Sequence, residues 1–282
     1  MSASVTEIKD LGRSRENLIL IVKAAESAER YEDMCKVMKI LVEWNEGKTP
    51  LDGEERNLLS VAYKNVIGAR RASYRCLDAG ENKNAKSIQN YKAVIEAEVE
   101  KISIEVISLL EKFLIPWAEH LFGGAKTEQN HGEVKRQGEA ISFYYKMAGD
   151  HYRYLAEIFK TRKPEYTKKA QEAYVKAKEL VTDYLPTTHP IRLGLMLNYS
   201  VYEHEIKQNK ELACKVAKEA FDVAIRDLDS VDERLYKDAA LIMQLLRDNL
   251  NLWTGNGDMQ DMDDSDDERT ATASKQAPQA QQ

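Results

Sequence analysis

From about residue 15 to Trp253, apolar side chains recur every three or four residues, and no stretch alternates apolar and polar between turn signals. A chain patterned this way buries its apolar stripes as amphipathic helices and has nothing with which to build a half-buried sheet. Only 13 glycines and 6 prolines interrupt the 282 residues, so helix breakers are sparse enough for long helices. Helices are expected near 15–28, 31–45, 53–78, 84–113, 139–160, 165–184, 190–207, 210–227 and 232–253. Their short connections imply antiparallel neighbours, and no fixed-period repeat is visible.

Several boundaries carry local signals. Asp52 with Glu55 predicts a capping box before the third helix, and Ser230 with Glu233 one before the last. Thr188 and Pro190 suit the start of the seventh, and Gly255 and Gly257 end the ninth. Residues 1–14 read as a flexible polar arm. Residues 117–138 (WAEHLFGGAKTEQNHGEVKRQG) read as an inserted surface loop, with at most a short helix from Trp117 to Leu121. After Trp253 the chain turns acidic (GNGDMQDMDDSDDER) and then polar, so 255–282 is expected to be a disordered tail.

Charged residues make up 31% of the chain and the net charge is −6, which argues against general affinity for nucleic acid or anionic membrane. The run Leu18–Val22 is too short for a signal segment, and nothing is long enough to span a bilayer. The expected compartment is the cytoplasm, with access to the nucleus open. Three scattered cysteines, Cys35, Cys76 and Cys214, fit neither a disulfide framework nor a zinc site and read as reduced core or near-core thiols.

Two basic pairs suggest an anion site. Lys64 and Arg71 lie seven residues apart on the third helix, almost two turns, and so share a face. Lys146 and Arg153 repeat that spacing on the fifth, and Tyr154 adds a phenol. Guanidinium forks, a lysine charge and a phenol donor suit a phosphate, which carries about −1.5 to −2 at pH 7. The same spacing also fits a solvated face paired with Glu and Asp. A second candidate surface has Leu197, Asn198, Val201 and Glu205 on one helix and Leu241, Leu245, Asn249, Leu252 and Trp253 on another. An asparagine in an apolar stripe can donate to and accept from a peptide backbone, or can be satisfied by neighbouring helices.

Long segments then narrow the choice. RNLLSVAYKNVIGARRASYR (Arg56–Arg75) resembles the first signature of the 14-3-3 family, and YKDAALIMQLLRDNLNLW (Tyr236–Trp253) the second. GDHYRYLAE (Gly149–Glu157), THPIRLGLMLNYSV (Thr188–Val201) and SAERYEDM (Ser27–Met34) are similar to other family segments, so the resemblance covers roughly 15–254. It implies nine antiparallel helices forming a concave amphipathic groove, dimerised through the first four. It implies a phosphate pocket of Lys64, Arg71, Arg153 and Tyr154, and backbone-holding Asn198 and Asn249. The implied groove also contains Lys146, Leu197, Val201, Glu205, Leu245, Leu252 and Trp253.

The implied dimer interface contains Ala24, Arg30, Ser73, Tyr91 and Glu98, with Arg30 and Glu98 forming an intersubunit bridge. Several positions depart from the family pattern. Ala148 stands where a groove lysine is common, Tyr74 replaces a tryptophan, and Glu203 and His204 replace aromatic residues. At the dimer surface Val94 replaces a lysine that would pair with Asp33, and Asn17 a glutamate that would face Lys83. Ser73, in Arg70-Arg71-Ala72-Ser73, also resembles a basophilic kinase site.

The implied function is a phosphoserine- and phosphothreonine-dependent adaptor that binds phosphorylated clients, forms a homodimer or a heterodimer with a paralogue, and needs no cofactor or metal. The acidic tail could compete for the groove. No phosphate loop, dinucleotide motif or nucleophile–base spacing supports an enzyme. The alternative is a phosphate-independent helical scaffold.

Overall fold

The computed structural model describes residues 14–44 and 48–255, and within them the fold is all-α, with no strand. The helical segments are α1 (Arg15–Ser27), α2 (Tyr31–Glu43), α3 (Gly53–Ala79), α4 (Lys86–Leu109), α5 (Ile115–Thr127), α6 (His131–Ile158), α7 (Lys163–Tyr184), α8 (Pro190–Val201), α9 (Lys210–Arg226) and α10 (Glu233–Thr254). A π-helical turn (Leu110–Leu114) joins α4 to α5 without a break, so these ten segments make nine continuous helices among the described residues. A second π turn (Tyr202–Ile206) extends α8. Of the expected arm at 1–14, residues 1–13 lie outside the described residues, as does the tail beyond Gly255, while Ser14 caps α1.

The helices form two compact units, divided at Gly123 and Gly124. In the first, α1 to α4 enclose Leu18, Val22, Met34, Met38, Leu41, Leu59, Tyr63, Ile67 and Val99, all buried. Removal of such side chains from water is the main stabilising term. Polar links fix the register. The capping box at the start of α3 forms as expected: the Asp52 carboxylate accepts from the Glu55 amide at 2.8 Å, and Glu55 accepts from the Asp52 amide at 3.0 Å. Arg15 of α1 reaches the same Glu55 at 2.6 Å. Tyr63 of α3 and Lys39 of α2 both donate to Glu105 of α4, at 2.9 and 2.8 Å. Arg70 joins Glu98, and Lys92 joins Asp78. Residue numbers rise on α3 as they fall on α4 across these contacts, so the two helices run antiparallel.

In the second unit α6 and α7 approach closely. A β-carbon at Gly149 would lie 2.8 Å from the Tyr174 ring, and one at Gly138 would lie 3.0 Å from Tyr184. Pairing of 138 with 184 and 149 with 174 shows that α6 and α7 are antiparallel. A methyl at Gly149 would force the aromatic ring away and separate the helices. Helices α8, α9 and α10 enclose Leu193, Leu197, Ala213, Ala217, Met243, Leu246 and Trp253.

Several expectations need correction. Residues 117–138 are not a loop: α5 runs to Thr127 and α6 begins at His131. The Gly123-Gly124 pair lies within α5, with nothing near either α-carbon to oppose a helix. The turn is confined to the residues between these helices, with Gln129 at positive φ and Asn130 capping α6. Pro116 does not end the helix, because the π turn just before it offers a wider ring that tolerates a residue unable to donate. Asp232 rather than Ser230 caps the last helix, and His189 rather than Thr188 caps α8. Gly255, at φ 74°, ends α10 as expected, while Gly257 lies outside the described residues. Cys76 is exposed rather than near the core.

Candidate functional site

In the first unit, Lys64 and Arg71 lie on one face of α3, with Arg71 buried and Lys64 half-buried. In the second unit, Lys146, Asp150, Arg153 and Tyr154 lie on α6, Tyr174 on α7, and Asn198 on α8. Asp150 is the centre of this second cluster. Lys146 Nζ donates to its Oδ2 at 2.9 Å, and Tyr174 Oη donates to its Oδ1 at 2.6 Å. Asn198 Nδ2 spans both carboxylate oxygens at 2.8 and 2.9 Å. An Arg153 Nη lies 3.7 Å from the same carboxylate, and Arg153 Nε donates to Tyr174 Oη at 3.3 Å. The Arg153 guanidinium also stacks on the Tyr154 ring, 4.7 Å from its centroid.

Electrostatics keep this buried cluster ionised. Burial alone would raise the Asp150 pKa. The Lys146 and Arg153 charges, with the hydrogen bonds from Tyr174 and Lys146, outweigh it and hold the carboxyl below its usual range. Burial likewise works against the Arg153 charge, which the nearby Asp150 and Glu205 carboxylates favour, and the guanidinium stays protonated. Two cations therefore share one carboxylate, already occupied by an amide and a phenol. Their side chains are held in place before any ligand arrives, which lowers the entropic cost of binding.

The sequence reading missed Asp150 and Tyr174. The acid lies four residues after Lys146 and three before Arg153, the offsets at which helical side chains meet, so that spacing was a usable signal. Ala148, placed on a groove rim by resemblance, is buried. Leu197 and Trp253 are core residues of the α8–α10 cluster, Val201 and Leu245 pack against it, and Leu252 is 65% exposed. Asn249 is half-buried and Glu205 exposed. His204 stacks on Trp253, with centroids 4.6 Å apart and planes 11° apart. The imidazole thus packs as a flat ring against Trp253, at a position where the resemblance implied an aromatic residue.

The expected interface residues Ala24, Ser73, Tyr91 and Glu98 are exposed on α1, α3 and α4. Within the chain Arg30 pairs with Asp33, and Glu98 with Arg70. An Arg30–Glu98 bridge between subunits would therefore require both residues to exchange partners.

A family model described as 14-3-3 protein matches residues 21–254. The chain belongs to the 14-3-3 family. It is 48% identical to 14-3-3-like protein B of Vicia faba over 252 residues, covering 86% of this chain and 88% of that protein. It is 46% identical to human 14-3-3 protein eta over 256 residues, covering 88% and 96%. Against Protein BMH1 of Saccharomyces cerevisiae it is 45% identical over 268 residues, covering 92% of each. Proteins of the 14-3-3 family are non-enzymatic adaptors that bind phosphoserine and phosphothreonine in client proteins and form dimers, and this chain is such an adaptor. Among the described residues, no helix is long and apolar enough to cross a membrane.

Proposed function

We propose that Lys64, Arg71, Arg153 and Tyr154 hold the phosphoryl group of a client, and that Asn198 and Asn249 hold its backbone on either side. The observation that carries this reading is the fixed set around Asp150. Arg153 and Lys146 share the single Asp150 carboxylate, and Asn198 spends its amide hydrogens on Asp150. Its Oδ1 is left to accept a peptide N–H. Tyr154 offers a phenol donor beside the guanidinium. Lys146 and Glu205 set the polar edge, while Leu197, Val201, Leu245, Leu252 and Trp253 contact apolar client side chains, with Leu252 the most accessible. The action is recognition without bond chemistry: a bound client is masked, clamped or reshaped. The test is a titration of a phosphoserine peptide against the same peptide without phosphate. Equal affinity for both would leave only the phosphate-independent scaffold.

The protein acts in this reading as a homodimer, or a heterodimer with a paralogue, in the cytoplasm and with access to the nucleus. Its partners are phosphorylated proteins rather than nucleic acid or membrane. Val94, 53% exposed, forms an apolar surface with Ala93 and Ala97 on α4, edged by Glu98 and Lys101, while Tyr91 of α4 and Leu20 of α1 are 57% and 65% exposed. Such side chains are what a dimer covers, whereas exposed ion pairs add only about 0–1 kcal/mol each. Leu20→Asp together with Val94→Asp is expected to convert the dimer to monomer in sedimentation velocity at micromolar protein while helical circular dichroism is kept. Two bound grooves per dimer give avidity for doubly phosphorylated clients, so the monomer should bind them no better than singly phosphorylated ones. A negative charge at Ser73 would oppose dimerisation in the same assay.

A further inference from the structure

We propose that the acidic run Asp258–Glu268 of this chain docks into a lysine-lined groove formed by the start of α7 and the π turn after α8, away from the Asp150 cluster. The groove is lined by four lysines, Lys160, Lys163, Lys168 and Lys207, against one carboxylate, Glu172, with Thr167 and Tyr202 among its other walls. Its charge is poorly compensated. Lys160 and Lys163 have no ion pair among the described residues. Lys168 lies 3.9 Å from Glu172, and Lys207 reaches the neutral Gln171 at 3.4 Å.

Two further features bear on an anion here. The first turn of α7 has no side-chain cap, so the Lys163 amide is not taken by one, although Glu165 in that turn offsets part of the helix dipole. The Thr167 hydroxyl is buried at the groove without a hydrogen-bond partner. The apolar floor is Tyr202, held by its hydroxyl to the Thr167 carbonyl at 3.0 Å and to Gln171 at 3.2 Å. Thus the groove combines cations, unused donors and an apolar floor.

Chain position and charge identify the occupant. Trp253, near the end of α10, stacks on His204, which lies three residues from Lys207 in the same stretch of chain. The described chain therefore ends, at Gly255, two residues beyond a ring packed on the segment that leads to Lys207. Asp258 is three residues further on, a reach of at most about 10 Å, comparable to the width of one helix. Residues 258–268 contain six aspartates and one glutamate, with Met259 and Met262 between them, matching the lysines and the apolar floor. A tether this short makes the local concentration of the acidic run about millimolar, so weak exposed pairs suffice. The groove takes up tail charge that would otherwise be able to compete for phosphate-binding residues.

The test is zero-length carbodiimide coupling of amines to carboxylates in the full chain, using an equal mixture of ¹⁴N and ¹⁵N protein and mapping links by mass spectrometry. Links between Lys160, Lys163, Lys168 or Lys207 and Asp258–Glu268 within one isotope are expected. Lys160→Glu with Lys163→Glu should lower the yield of the links that remain possible, from Lys168 and Lys207, about tenfold, as expected for several exposed pairs acting through a short tether. Adding Asp263→Lys and Asp264→Lys to that variant should restore coupling with the charges exchanged. Links mainly to Lys64 or Lys146, links only between isotopes, no links, or no restoration by the exchange would each overturn the proposal. The assay contains no phosphate or client, so its outcome is separate from that of the phosphopeptide titration.

Discussion

Arg71→Glu is expected to abolish measurable binding of a singly phosphorylated peptide. Replacing a charge-assisted contact with repulsion should lower affinity at least about a hundredfold, because loss of one partner of a desolvated charge pair already costs about 2–5 kcal/mol. Arg71 is buried, so its reversal also places a carboxylate where a cation was accommodated. Lys64→Glu is the companion variant, because Lys64 is half-buried and its long stem can carry a new carboxylate towards solvent. Both should retain helical circular dichroism and lose the difference between phosphorylated and unphosphorylated peptide in fluorescence polarisation. A Lys64→Glu protein that is folded and binds phosphopeptide as tightly as the parent would remove Lys64 from the site.

Asp150→Ala should be the most destabilising single change in the second unit. It removes the acceptor shared by Lys146, Tyr174 and Asn198 and the counter-charge of buried Arg153. Breaking a buried pair by deleting one partner costs about 3–5 kcal/mol, because the remaining charge has lost its compensation. Urea unfolding should show that loss at neutral pH, and phosphopeptide affinity should fall as Arg153 and Asn198 lose their shared anchor. The pH dependence has a definite sign. The Asp150 pKa is lower in the folded protein than in the unfolded chain. Its stabilising contribution is therefore complete above the unfolded carboxyl pKa, about 3.9, and is lost as pH falls through the lower folded value. The stability gap between parent and Asp150→Asn should accordingly be constant near neutrality and narrow only below about pH 4. A gap that closes between pH 6 and 8 would mean that another group carries the effect.

The resemblance of Arg56–Arg75 and Tyr236–Trp253 to family signatures identified residues that the comparisons then placed in the 14-3-3 family. The basic pairs were legible because seven residues is nearly two helical turns. What spacing could not distinguish was a ligand site from a solvated face, since that depends on groups distant in sequence. Asp150 lies within reach of two basic residues on its own helix, but its ties to Tyr174 and Asn198 come from α7 and α8. The segment 117–138 was misread for a related reason. Gly-Gly and mixed polar residues have loop composition, yet a helix already running through α4 and the π turn needs only to propagate, which is easier than nucleating one. The π turns themselves leave no clear mark on a hydrophobic repeat.

Local sequence determined the all-helical class, most helix positions, the Asp52–Glu55 cap and the residue types available for phosphate and peptide. These depend on periodicity, side-chain chemistry and offsets within one helix, all of which act over a few residues. Tertiary structure alone decided which side chains meet across helices. Gly149 lets α7 come close enough for Tyr174 to reach Asp150, α8 brings Asn198 to the same carboxylate, and His204 settles on Trp253. Those contacts depend on the relative register of separate helices, set by packing the whole unit, and no pattern within a single helix encodes it.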